Sequence, residues 1–353
     1  MIYDPRRSGI ALLIFCKSTF QTFAPDGVIL LHHGTPWRVA SDRKSIYPVT
    51  RLLVTTFMIR LLALDMDGTL LNSRGLLSER NRLAIERARE RGVQTALVTG
   101  RRFRDARPLA LELGLDVPVI AHNGALTKHA RTLETVSVAL LPLEAAREVL
   151  RIGHENKRDA LVSDDPHGAG VLVYDHRSDD NMALAKYIAW SRRIHGDEAE
   201  EAVRRVESLE GYLDHAPVHI TFSGQIARIK FLEERLHSEL GKSVKILGTF
   251  YPKMDFALLD VLNPEVSKGV GVKAAAREQG LGREEVMAIG DNFNDLEMLE
   301  YAGTSVLMGN AEASLRAQLQ DLAGHHATAT NDEDGVALAI EKFILKNSLE
   351  SGV

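Results

Sequence analysis

From residue 58 onward the chain alternates short, nearly unbroken apolar runs with longer segments whose apolar residues recur at helical spacing. The run Ile59 to Leu64 reads as a strand buried on both faces, the kind found in a parallel sheet flanked by helices. Ser78 is the N-cap expected for a helix over Glu79 to Arg91, with Leu83, Ala84, Ile85 and Ala88 facing inward and Gly92 ending it. Val93 to Val98 is the next strand, Arg104 to Leu113 the next helix, and Val117 to Ala121 the next strand. That order gives right-handed βαβ units and a parallel sheet, so the fold class is α/β.

The rhythm changes near Leu143. Helical stretches at Leu143 to Glu155, Met182 to Trp190 and Gln225 to Leu240 are separated by alternating segments at Gly170 to Tyr174 and Val218 to Phe222. This predicts an inserted α+β domain with antiparallel strands over residues 143–253, dividing an α/β core into 58–142 and 254–345, with a tail over 346–353. In the second core segment, Asp255 to Val261 leads to a helix over Gly271 to Gln279. The strands Val286 to Ile289, Ser305 to Met308 and Ala327 to Thr330 complete the parallel sheet.

Residues 1–57 lack this periodicity. Their two apolar patches are brief, and Arg6-Arg7 before the first gives only a faint secretory pattern with no cleavage site. We expect a disordered or non-native extension, with Met58 as the natural start. The sequence has 353 residues and a net charge of −5 with acids and bases interspersed, which argues against a nucleic-acid role. The single cysteine, Cys16, excludes an internal disulfide framework and fits a reducing cytoplasm. No apolar run reaches the length of a membrane span.

The candidate chemistry sits where the first core strand ends, at Asp65-Met66-Asp67-Gly68-Thr69. Ligands of open α/β sheets lie off the carboxyl ends of the strands. Two acids one residue apart repel unless a hard divalent cation lies between them, so Asp65 and Asp67 predict a magnesium site. A calcium EF-hand loop fails, because its glycine belongs at position six and Gly68 is fourth. Gly68 lets the chain turn away, and the Thr69 hydroxyl can bond locally to fix the orientation of Asp67. Each remaining candidate alone fits a turn, a solvated lysine or a helix cap, but together they supply the missing partners.

Asp65-x-Asp67-Gly68-Thr69, Thr99-Gly100-Arg101, Ser267-Lys268-Gly269 and Gly290-Asp291-Asn292-x-Asn294-Asp295, in that order, resemble the four motifs of the haloacid dehalogenase superfamily of phosphatases. Met308-Gly309-Asn310-Ala311 and Asn331-Asp332-Glu333-Asp334-Gly335-Val336 resemble its Cof-type branch. The resemblance covers Met58 to about Phe343 and implies a Rossmann-like, doubly wound core with an α+β cap. It implies a cytoplasmic, Mg2+-dependent hydrolase of phosphate monoesters acting through an aspartyl-phosphate, as a monomer or homodimer. Asp65 is then the nucleophile and Asp67 the acid and base. The metal is bound by the carboxylates of Asp65 and Asp291 and the main-chain carbonyl of Asp67. Thr99, Gly100, Lys268 and Asn294 bind phosphate, and Thr69 and Asp295 support the site.

Other features read plainly. His122 lies off a strand's carboxyl end and is a lesser candidate for meeting substrate. The Glu198 to Glu210 run fits an exposed helix laced with ion pairs. Gly269-x-Gly271 is helix-entry geometry, and neither HExxH nor GxSxG occurs. The substrate expected is a small phosphorylated metabolite, a sugar phosphate first and pyridoxal phosphate or flavin mononucleotide next, its specificity set by the cap. A phosphomutase and a non-catalytic phosphometabolite sensor are the alternatives.

Overall fold

The computed structural model describes residues 12–16, 19–23, 29–31, 58–178 and 181–346. The expectations for residues 1–57 and 346–353 fall almost wholly outside that range. What is described early in the chain is an antiparallel sheet of β1 (Leu12–Cys16), β2 (Thr19–Phe23) and β3 (Ile29–Leu31). Residues 1–56 and 57–353 form two separate units, and the second carries everything that follows.

The second unit opens with β4 (Leu61–Asp65), α1 (Glu79–Glu90), β5 (Gln94–Val98), α2 (Phe103–Glu112) and β6 (Val119–Ala121). The antiparallel strands β7 (Leu126–Lys128) and β8 (Thr135–Val138) follow; the sequence pattern did not predict them. The insertion comprises α3 (Leu143–Glu155), β9 (Ala160–Asp164), β10 (Val171–Tyr174), α4 (Met182–His195), α5 (Ala199–Ala202), β11 (Val203–Arg205) and α6 (Leu209–Tyr212). It continues through β12 (His219–Gly224), α7 (Ile226–Leu240), β13 (Lys245–Tyr251) and β14 (Phe256–Leu262). The chain then returns with α8 (Lys268–Glu278), β15 (Val286–Gly290), α9 (Leu296–Tyr301), β16 (Thr304–Leu307), α10 (Ala313–Leu319), β17 (His325–Ala327) and α11 (Gly335–Ile340).

The core sheet runs β17-β16-β15-β4-β5-β6-β7-β8, parallel from β17 through β6. Its strands β15, β4 and β6 are nearly unbroken apolar runs because both faces are covered. Leu62 and Leu64 pack into one cluster with Ile85 and Ile340, while Leu61 and Ala63 pack into the other with Val272 and Leu299. The sheet of the insertion runs β11-β10-β9-β12-β14-β13. Ala257, Leu259 and Val261 of β14 point to a core under α3 and α7, while the alternate residues Phe256, Leu258 and Asp260 are only half-buried and line a cavity.

Four expectations need correction. β14 is a central strand of the insertion's sheet, pairing with β12 and β13, so the core does not resume at 254. The Glu198 to Glu210 run is not one helix: it breaks into α5, β11 and the start of α6, because Ala202, Val203 and Leu209 are apolar anchors that must be buried. Leu83 is 40% exposed, and the inward place on α1 goes to Asn81, which donates to the Leu70 carbonyl and accepts from the Ala337 N–H. The last strand lies at His325–Ala327, since Thr328 and Thr330 turn away, Thr328 donating to the Gly335 carbonyl.

Candidate active site

Asp65, Thr99, His122 and Asp291 stand at or just beyond the carboxyl ends of four adjacent parallel strands, β4, β5, β6 and β15. Register alone brings them together. Lys268 arrives from another direction, as the first residue of α8, whose N-cap Ser267 accepts from the Val270 N–H at 3.2 Å. The helix starts three residues before the position expected, which places this lysine against the strand ends.

Lys268 Nζ donates to Asp65 Oδ1 and to Asp295 Oδ1, both at 2.6 Å, and all three side chains are buried. Burial alone would discharge the ammonium, but the two carboxylates outweigh it and hold its pKa above the ordinary lysine value. Asp65 goes the other way. Burial and the nearby Asp295 and Asp291 carboxylates raise its pKa well above 3.8, against the opposing pull of Lys268. Asp291 is pushed up to about 6, first by burial and then by Asp295. Carboxylate oxygens of Asp65, Asp291 and Asp295 lie within 4.8 Å of one another, so this corner carries more negative charge than one lysine offsets. Its all-oxygen donor set suits a hard divalent cation.

Asp295 is the most committed member of the cluster. Its second oxygen accepts from the Asp291 and Asn292 N–H groups at 2.9 Å, tying the loop after β15 to Lys268. The Thr69 hydroxyl reaches not Asp67, as expected, but Asp291, donating to its Oδ1 at 2.8 Å, because the Asp67 side chain turns outward to Arg101. Asn310 donates to both the Gly68 carbonyl and Asp291 Oδ2. Gly68, at φ +87°, passes so close to Asp291 that a Cβ there would meet its carboxylate at 2.4 Å.

Asp67 stands apart from the acid cluster. Its side chain is 56% exposed, and Arg101 grips both of its oxygens, Nε to Oδ2 at 2.8 Å and Nη2 to Oδ1 at 2.6 Å. Sequence reasoning treated Arg101 as the tail of a turn motif and missed this role. An arginine directly after the strand-end Thr-Gly, across from a second acid on the neighbouring strand, was the available signal. Thr99 is buried and its hydroxyl accepts from the Arg101 N–H. Asn294 Nδ2 donates to Asn123 Oδ1 at 3.0 Å, while Asn294 Oδ1 is buried without a partner. Asn123 and Asn310 were also missed.

His122 is neither solvated nor among the residues lining the cavity. It is buried, its Nε2 accepts from the Phe103 N–H at 3.1 Å, and its Nδ1 lies 2.8 Å from Nδ1 of His219 in the insertion. His122 and Asn123 both hold positive φ, at 51° and 54°. Gly124 follows at φ +94°, where a Cβ would sit 2.0 Å from the Ser267 carbonyl. Glycine at this position thus lets the turn pass close against the cap of the helix that carries Lys268.

The strand ends and the inner face of the second sheet enclose a cavity of about 1410 Å³, reaching from Asp65 and Lys268 to Tyr251 and Asp260. At its rim, Arg102 joins core to insertion: it pairs with Asp105 at 2.9 Å and donates to Tyr187, Ser191 and the Ala202 carbonyl. Asp105, with Arg102, His195 and Tyr187 all on its oxygens, is held far below the ordinary carboxylate range. Among the described residues no helix is long and apolar enough to cross a membrane.

Comparison with known proteins agrees with this geometry. Residues 62–340 match the family model of haloacid dehalogenase-like hydrolases. The chain is 31% identical over 265 residues to the HMP-PP phosphatase of Cronobacter sakazakii, covering 75% of this chain and 89% of that one. It is 29% identical over 274 residues to the pyridoxal phosphate phosphatase YbhA of Escherichia coli, covering 76% and 94%. A crystal structure of a haloacid dehalogenase-like hydrolase from Bacteroides thetaiotaomicron superposes with a TM-score of 0.66 at 27% identity, over 80% of this chain and 99% of that one. With residues 62–340 matching the family and phosphatases among its relatives, the chain belongs to the haloacid dehalogenase-like hydrolases and is a phosphatase of their Cof-type branch.

Proposed function

We propose that this phosphatase hydrolyses a phosphate monoester of a small metabolite by way of a phosphoryl group carried transiently on Asp65, with Mg2+ as cofactor. The observation that carries the reading is the buried ammonium of Lys268, bonded at 2.6 Å to a carboxylate that lies within 4.8 Å of two more. Carboxylates of Asp65 and Asp291 would hold the cation, with the Asp67 main-chain carbonyl. Asp295 is spent on Lys268 and two backbone N–H groups and serves as a support. Bound there, the cation offsets the charge that otherwise keeps an anionic nucleophile from an anionic phosphate.

An Asp65 oxygen attacks phosphorus in line as the bond to the leaving oxygen breaks, and the Asp67 carboxylic acid gives that oxygen its proton. The Asp67 carboxylate then takes a proton from water, whose oxygen attacks the same phosphorus and returns Asp65 as a carboxylate with inorganic phosphate released. Lys268, Thr99 and the Gly100 N–H face the phosphoryl oxygens, with Asn294 beside them. Arg101 sets where the Asp67 carboxyl stands. The cap shuts water out until the alcohol has formed. The substrate is a small phosphorylated metabolite, a class to which the relatives named for pyridoxal phosphate and HMP-PP point.

The test is phosphate release over a panel of phosphorylated metabolites with and without Mg2+, together with acid-quenched mass spectrometry of the protein during turnover. We expect Mg2+-dependent release and a phosphorylated Asp65 peptide. Unchanged release by Asp65→Asn would refute the covalent route.

A further inference from the structure

Four hydrogen bonds run in one direction from the core into the cap. The Phe103 N–H can only donate, so His122 Nε2 must accept and its proton must sit on Nδ1. That N–H donates to His219 Nδ1 at 2.8 Å, which leaves the His219 proton on Nε2. His219 Nε2 donates to the Thr221 hydroxyl at 2.8 Å, and Thr221 donates to Asp260 Oδ1 at 2.7 Å. Burial lowers the pKa of both histidines, His219 to about 3, so both are neutral and the tautomers are fixed. The relay begins at the first turn of α2 and ends on a carboxylate that lines the catalytic cavity.

Asp260 differs from the acids of the core. Burial raises its pKa to about 6, and only the Thr221 bond opposes that rise. His219 Nε2 is 3.9 Å away but, being neutral, supplies no countercharge. A carboxylate in that position, its side chain only 18% exposed, is best matched by a donor or cation that arrives with the ligand. It lines the same cavity as Asp65, Asp67 and Tyr251.

The surroundings say what kind of ligand. Tyr251 stacks with Phe256 at 5.8 Å between ring centres, Tyr187 stacks with Trp190 at 5.7 Å, and all four line the cavity. Of the hydroxyls near Asp260, Thr221 donates to Asp260 itself and Ser223 accepts from Asn181. We propose that Asp260 selects the leaving group, accepting a hydrogen bond from a protonated nitrogen or amino group on a flat ring that lies against these aromatic side chains. Thr221, His219 and His122 are positioning residues that aim it, and because His122 belongs to the core they aim it only while the cap is docked.

This inference rests on the phosphatase reading, and the experiment separates the two. Phosphate release is measured on pyridoxal phosphate, glucose 6-phosphate and p-nitrophenyl phosphate, with KM and kcat resolved for each. The expected result for Asp260→Asn is a fall of about tenfold or more in kcat/KM for pyridoxal phosphate relative to p-nitrophenyl phosphate, carried by KM. Thr221→Val, which leaves the carboxylate but removes its aim, gives a smaller fall of the same kind and decides the matter if the first variant does not fold. Equal losses on all three esters, or a kcat effect alone, would mean a structural role and overturn the inference. A selective loss on glucose 6-phosphate would overturn the ring and leave a polyol. Wild-type protein releasing phosphate from none of the three overturns the phosphatase reading itself, and the inference with it.

Discussion

The two halves of the cavity treat buried charge in opposite ways. On the core side Asp65, Asp291 and Asp295 crowd around Lys268, each group satisfied by or repelled by the others. On the cap side the Asp260 carboxylate stands among hydroxyls and aromatic rings at the end of a neutral relay. The core resembles a machine part with fixed charges, whatever alcohol is attached. The cap presents, in Asp260, an acceptor that a suitably built ligand would complete. On the proposal above, chemistry belongs to one sheet and selectivity to the other.

Breaking the core side should cost most. Asp65→Asn is expected to lower phosphate release by about a thousandfold or more, since no other described carboxylate stands where it does. Lys268→Met leaves Asp65 and Asp295 buried without their cation, which is expected to destabilise the fold by about 3–5 kcal/mol in denaturant melts, beyond its effect on turnover. A cap variant with either phenotype would undo the contrast.

The cap side is sharpened by pH. Burial pushes the Asp260 carboxyl up to about 6 from its ordinary 3.8, so the folded state holds its proton more tightly. The ionised carboxylate therefore costs stability above about pH 6 and costs nothing below about pH 4. Asp260→Asn removes that cost. Without ligand it should stabilise the protein by on the order of 2 kcal/mol at pH 8, the gain disappearing as pH falls through 6 toward 4. A gain that persists at pH 4 would refute the account.

Smaller effects complete the series. Mg2+ at ten times its Kd should add about 1.4 kcal/mol to wild-type stability, and Asp291→Asn should lose most of that increment while Asp260→Asn keeps it. Arg101→Lys replaces a bidentate grip on a half-exposed carboxylate by a single contact, worth at most about 1 kcal/mol. Its expected signature is a change of a few fold in kcat with little change in stability.

The same division explains how much could be read from the sequence. Core strands covered on both faces are unbroken apolar runs, and each ends in a polar motif, so β4, β5 and β15 and their aspartates stood out. The cap sheet is covered on one face only over β14, and its other face carries Phe256, Leu258 and Asp260, a pattern that looks like ordinary alternation. Nothing local marks Asp260, because its meaning comes from Thr221 beside it in register and from His219 two residues before that. Arg101 and His122 sat within motifs already noticed, but their partners lie on other elements. The break between α5 and β11 was hidden by charged residues that cover three apolar anchors.

The contact between His122 and His219 bears on how such enzymes diversify. A cap exchanged for that of a relative would bring its own residue to position 219, and unless that residue accepts, the His122 N–H is stranded in a dry interface at a cost of about 1–3 kcal/mol. Grafting a new specificity thus calls for a matching change in the turn after β6, outside the grafted segment. Residue 122 is the graft's compatibility test.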